Sequence, residues 1–152
     1  MIRTLASFAD DMALRTNLNA MFNVTHPLID AMIEKGRRRI INIASINGSK
    51  GQFDQTNYTA AKAGIHGFTK SLDLKVARKG IAINTISPGY MDTAMVAAVP
   101  RDVLKTQIVA NIPVGQLRHS YEIGALVAFV CSEKAAFTTG SNLAMHDSQH
   151  MA

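Results

Sequence analysis

The sequence predicts an α/β fold built on a parallel sheet with helices on both faces. Three observations lead there. Two short β-branched runs, Ile40-Ile41-Asn42-Ile43-Ala44 and Ile81-Ala82-Ile83-Asn84-Thr85-Ile86, have the composition of buried strands. Each follows a long segment of helical periodicity that stops at a glycine, Gly36 or Gly80. Strands apolar along their whole length belong to parallel sheets covered on both sides, where alternating helices do the covering. The chain of 152 residues, 47% of them hydrophobic, is enough for one domain with a sizeable core, taken as residues 1–152.

The elements follow in order. Residues 8–35 carry Leu14, Leu18, Met21, Thr25, Leu28 and Met32 at helical spacing. Pro27 interrupts them; inside a helix it removes a hydrogen bond at a cost of about 3 kcal/mol, so a kink or a division into two shorter helices is expected there. The first strand ends at Ser45, and residues 46–57 form a polar, glycine-containing loop. Residues 58–79 form a second helix with Ala61, Ile65, Phe68, Leu72 and Val76 on one face. Ser87-Pro88-Gly89 closes the second strand. Residues 92–110 read as a mobile helical segment broken by Pro100, residues 120–133 as a firm helix, and Leu143-Ala144-Met145 as a short third strand. In open sheets of the resulting α-β-α-β-α-α-β order, ligands bind beyond the carboxyl ends of the strands. Ser45 and Pro88-Gly89 both fall there.

Composition removes several classes of function. The net charge of +5 is compatible with nucleic acid, a membrane surface or small anions, but the tight basic cluster is Arg37-Arg38-Arg39. It lies at a helix end without interleaved aromatics, which suits a solvated turn and argues against nucleic acid. The single cysteine, Cys131, excludes an intrachain disulfide; next to the apolar run Ala125–Val130 it is expected to be a buried, inert thiol. A reducing cytoplasm is the expected compartment, with no signal peptide and no apolar run long enough for a membrane.

The chemistry concentrates in one stretch. Tyr58 and Lys62 stand one helical turn apart, thirteen residues beyond Ser45. A neighbouring ammonium favours the ionised form of a phenol and makes its hydroxyl a usable proton donor and acceptor. A serine hydroxyl from another element can hold a carbonyl oxygen beside it, so the trio points to carbonyl/alcohol chemistry. Each residue also has a plainer use. Ser45 can cap the turn after its strand, Thr93 can cap the following helix, Asn17 can be a polar helix residue, and Tyr90 can be a packing aromatic. His66 reads as a satisfied structural histidine. Asp92, His146, Asp147 and His150 form no recognised metal spacing, and neither a nucleophile elbow nor a Walker-type phosphate loop occurs.

Ser45, Tyr58-x-x-x-Lys62, the run Pro88-Gly89-Tyr90-Met91-Asp92-Thr93 and the upstream Asn17 resemble, in order and spacing, the landmarks of the short-chain dehydrogenase/reductase family. Residues 51–58, 62–69 and 87–90 resemble its acetoacetyl-CoA and 3-oxoacyl reductase branch. The resemblance implies part of a Rossmann-like doubly wound sheet, namely its C-terminal portion. It implies an NAD(P)H-dependent ketoreductase in which Tyr58 protonates the carbonyl oxygen. Lys62 would assist Tyr58 and bind the nucleotide ribose, Ser45 would bind the substrate oxygen, and Asn17 would hold a water linking Lys62 to solvent. Tyr58, Lys62, Pro88, Gly89 and Thr93 would contact the cofactor, with NADP(H) favoured over NAD(H). Ser45, Gln52, Gln55 and Tyr90 would shape the site for an acyl-CoA or acyl-carrier thioester. A homo-oligomer joined through the helices at residues 8–35 and 58–79 is implied, with no membrane partner and no metal.

The sequence also departs from the family. No segment resembles the glycine-rich turn that holds the pyrophosphate, or the Asn-Asn-Ala-Gly segment that precedes the Asn17 helix. The strand at Ile40 is therefore expected to present an open apolar edge, and the isolated chain is expected not to bind NADPH saturably. The turn Met145-His146-Asp147-Ser148-Gln149-His150 is bulkier than the family's, with an expected disturbance of the last strand's end or of a subunit contact there. The alternative to a reductase is a truncated, non-catalytic remnant that retains the pocket residues and the oligomerisation faces.

Overall fold

The computed structural model describes residues 12–150. Three parallel strands, β1 (Arg38–Ile43), β2 (Ile81–Pro88) and β5 (Asn142–Met145), form a sheet in the order β1-β2-β5. In register, Ile40 lies beside Ile83, Ile43 beside Ile86, and Pro88 beside Met145. Helix α1 (Ala20–Lys35) leads into β1, and α3 (Thr56–Val76) leads into β2 through a 3-10 turn, Ala77–Lys79. Between them lies the short α2 (Asn47–Lys50). The second half holds α4 (Ala94–Ala97), α5 (Arg101–Val103) and α6 (Ser120–Cys131). A pair of two-residue parallel strands, β3 (Met91–Asp92) and β4 (Arg118–His119), ties this half together. No helix among the described residues is long and apolar enough to cross a membrane.

The central strand β2 is buried from Ile81 to Ser87, as a doubly covered parallel strand must be. Successive residues point to opposite faces. Ile81 and Ile83 pack with Val76 against Ile29, Met32, Ile33, Ile40 and Leu72 from α1, β1 and α3. Further along the same face the contacts become polar. Thr69 Oγ1 on α3 accepts hydrogen bonds from Asn42 Nδ2 (2.9 Å) and Thr85 Oγ1 (2.8 Å). Asp73 accepts from the Ile83 backbone N–H (3.2 Å) and from the Thr139 hydroxyl. A buried donor left without a partner costs about 1–3 kcal/mol. Thr69→Val, which strands both donors, is therefore expected to lower unfolding stability by at least that amount in a urea titration.

His66, also on this face, approaches the Ser87 hydroxyl at 3.1 Å, and Ser87 Oγ donates to Asn142 Oδ1 at 2.7 Å. Since the serine proton is spent on Asn142, His66 Nε2 is the donor. Burial, and then the Lys70 ammonium, push the His66 pKa below its usual 6.5. The folded chain thus binds fewer protons here than the unfolded chain just below that value. Stability from this group is present above 6.5 and is lost as pH falls through the lowered pKa. Urea midpoints should fall as the pH is taken below 6.5, and His66→Gln should flatten that fall.

Several expectations are corrected. The helix does not divide at Pro27, which lies inside α1; the irregular turn is a π-helical one at Arg15–Asn19. Positions 8–11 of the expected helix lie outside the described residues. The expected loop at 46–57 contains α2, and the second strand continues through Pro88. Cys131, the last residue of α6, is exposed, whereas its neighbour Val130 is the buried residue of that helix. The bulky turn after β5 leaves the strand end intact. Asp147 and Ser148 adopt positive φ, Arg118 Nε clasps Asp147 Oδ1 at 2.8 Å, and Gly89 N–H reaches Met145 O at 3.0 Å. Among the described residues β1 pairs with β2 alone, and Ile43 at its end is 42% exposed.

Candidate functional site

Ser45 lies just beyond the carboxyl end of β1, where main-chain bonds from Ala44 to Ile86 (2.8 Å) and from Ile46 to Pro88 (2.9 Å) extend the sheet pairing. The chain then turns sharply into α2. Gly48 N–H donates to Ser45 O (3.0 Å), and Asn47 N–H donates to Ser45 Oγ (3.2 Å). With its oxygen accepting from the backbone, the serine hydroxyl keeps its proton available for a ligand. Ser45 is thus both a turn cap and a free donor.

Helix α2 rests directly on the backbone of α3. A β-carbon at Gly48 would lie 2.8 Å from the carbonyl carbon of Lys62 and 2.9 Å from Ala63 N. This close approach brings the Ser45 turn to the helix that carries Tyr58 and Lys62. The Lys62 ammonium lies 5.6 Å from the Tyr58 ring centroid and donates to Ile43 O at 3.1 Å. Burial holds the Lys62 pKa below the ordinary lysine value.

Asn17 sits in the π-helical turn Arg15–Asn19, a kind of irregularity frequent at functional sites. The turn packs on α3, with Leu18 against Gly64. The Asn17 amide donates to Ala13 O at 2.9 Å, within its own helix.

A cavity of about 640 Å³ opens beyond the strand ends. Ser45, Gln55, Tyr58, Gly89, Tyr90 and Thr93 line it, all of them singled out in the sequence. Asn17, Gln52, Lys62 and Pro88 do not line it. Gln52 contributes its carbonyl to the turn before α3, accepting from Gln55 N–H at 3.2 Å, and Pro88 remains in the sheet. Thr93 Oγ1 accepts from Val96 N–H at 3.4 Å and so caps α4, which leaves its hydroxyl proton free. Asn47, not singled out in the sequence, is also on the wall and reaches Gln55 Oε1 through its amide at 3.0 Å. The signal for it was present in Ser45-Ile46-Asn47-Gly48, where a serine oxygen commonly accepts from the N–H two residues on.

The family model described as enoyl-(acyl carrier protein) reductase matches residues 4–147. The chain is 50% identical over 141 residues to an acetoacetyl-CoA reductase of Cupriavidus necator, covering 93% of this chain and 57% of that protein. The chain belongs to the short-chain dehydrogenase/reductase family. An acetoacetyl-CoA reductase of Rhizobium meliloti is 50% identical over 137 residues, covering 90% of this chain and 57% of that protein. A 3-oxoacyl-[acyl-carrier-protein] reductase of Vibrio cholerae is 39% identical over 138 residues, covering 91% and 56%. The chain therefore spans a little over half the length of the curated relatives it matches. Within this short-chain dehydrogenase/reductase fold, the matched segment includes the whole described cavity.

Proposed function

We propose that this chain carries the carbonyl-side machinery of an NAD(P)H-dependent reductase of 3-oxoacyl thioesters, acetoacetyl-CoA among them. The observation that carries the reading is the placing of Tyr58 and a Ser45 hydroxyl with an unspent proton on the wall of one cavity. Ser45 holds the ketone oxygen, and Tyr58 delivers the proton to it as general acid. Lys62 sits over the tyrosine ring and keeps positive charge near the oxygen that gains the proton. Asn17, on the helix packed against α3, holds the water through which Lys62 exchanges protons with solvent. Tyr90 and Gln55 receive the acyl thioester.

The donor set suits the ribose and nicotinamide end of NAD(P)H, NADP(H) being favoured. Lys62 offers an ammonium, Tyr58 a hydroxyl, Thr93 a free hydroxyl proton, and Pro88-Gly89 a backbone without bulk. When bound, that cofactor supplies the hydride. The exposed Phe22, Val24 and Leu28 of α1 suit packing against a second subunit.

The second reading is a non-catalytic remnant that keeps the pocket residues and the exposed face of α1 without the chemistry. Calorimetric titration of the intact chain with acetoacetyl-CoA separates the two. The proposed function predicts saturable binding that Tyr90→Ala weakens about tenfold. No binding would favour the remnant.

A further inference from the structure

We infer that Asn47 is a positioning residue that turns the Gln55 side chain so that its NH2 group, not its carbonyl, faces the cavity. This wall then takes a carbonyl oxygen of the ligand, a second acceptor beside the one held by Ser45. Asn47 is only 9% exposed. Its Nδ2 donates to Gln55 Oε1 at 3.0 Å, and its backbone N–H donates to Ser45 Oγ at 3.2 Å. Its Oδ1 is buried without a partner.

The direction of the amide pair follows from that burial. Turning both amides over would put an Asn47 N–H group, rather than a carbonyl lone pair, in the unpartnered position. Buried orphan donors are rarer than under-satisfied carbonyls. With Oε1 engaged, the exposed Gln55 end that lines the cavity is its NH2. Asn47 therefore touches both cavity donors, the Ser45 hydroxyl and the Gln55 amide, and sets their separation. A 3-oxoacyl thioester carries two carbonyl oxygens one carbon apart and matches such a pair of donors. The identity of this ligand rests on the function proposed above; the orientation of Gln55 does not.

Side-chain amide exchange in the ¹⁵N-labelled intact chain tests the orientation without ligand. The Asn47 NH2 protons should exchange at least about tenfold more slowly than those of Gln55. In Asn47→Asp, which can only accept, the Gln55 NH2 turns toward residue 47 and becomes the protected group. Slow Gln55 and fast Asn47 exchange in the unaltered chain overturns the inference, even if the variant fails to fold. So does an Asn47→Asp chain that folds without changing Gln55. Added acetoacetyl-CoA should shift the Gln55 NH2 signals, and its affinity should fall about tenfold in Asn47→Asp, the factor for one neutral hydrogen bond. If acetoacetyl-CoA binds neither form, the thioester reading fails while the exchange pattern still decides the role of Asn47. Binding that leaves the Gln55 signals unmoved overturns the donor role.

Discussion

Tyr58→Phe is expected to lower the turnover of acetoacetyl-CoA by about 10²–10⁴-fold, the usual contribution of a positioned general acid. The assay uses a chimera in which this chain replaces the matching segment of the Cupriavidus necator reductase. Phenylalanine keeps the ring, its face toward the Lys62 ammonium and its share of the cavity wall; only the hydroxyl is lost. Binding of the thioester should therefore hold within about twofold, and the loss should appear in kcat rather than KM. On the proposed mechanism Ser45 would still hold the ketone oxygen in this variant, but the proton donor would be gone. Steady-state kinetics at saturating NADPH give both constants, and an equal loss in kcat and affinity would mean that Tyr58 shapes the pocket instead.

Gly48→Ala is expected to have the next largest effect, although residue 48 does not line the cavity. The added carbon would meet Lys62 C at 2.8 Å and Lys62 O and Ala63 N at 2.9 Å. These are backbone atoms and cannot rotate away, so α2 must lift from α3. Overpacking of this kind costs about 1–3 kcal/mol of stability. The lift carries Ser45 and Asn47 away from Tyr58, and a misplacement of about 1 Å can cost about 10²-fold in rate. Gly64→Ala faces only the ends of the Leu18 side chain, which can move, and should cost less. Gly67→Ala meets nothing within 4 Å. It should be neutral in rate and slightly stabilising, since alanine outranks glycine in a helix by about 1 kcal/mol. Thermal unfolding and kcat measured on the three variants establish the order.

The sheet was legible because its strands are apolar runs between periodic helices, and the cavity fell where the strand ends at Ser45 and Gly89 put it. Ser45, Tyr58 and Lys62 were legible because one local strand-turn-helix unit carries all three. Other features depend on contacts that no local pattern encodes. Pro27 invited a kink or a division; α1 is not divided there, and a π-helical turn lies at Arg15–Asn19, where no residue announces it. The pairing of Met91–Asp92 with Arg118–His119 spans two residues and joins distant parts of the chain, too little for periodicity to reveal. Around Cys131 every position from Ala125 to Val130 is apolar, so the pattern gave no direction, and Val130 alone on α6 is fully buried. Asn47 acts on Gln55, eight residues away, only because α2 is pressed onto α3.

The most direct test is the rate at which the chimera with this chain's unaltered sequence consumes NADPH on addition of acetoacetyl-CoA. Steady, acetoacetyl-CoA-dependent oxidation of NADPH to give 3-hydroxybutyryl-CoA is predicted. A chimera that folds and binds both compounds yet transfers no hydride would contradict a thioester-reductase site at Ser45 and Tyr58.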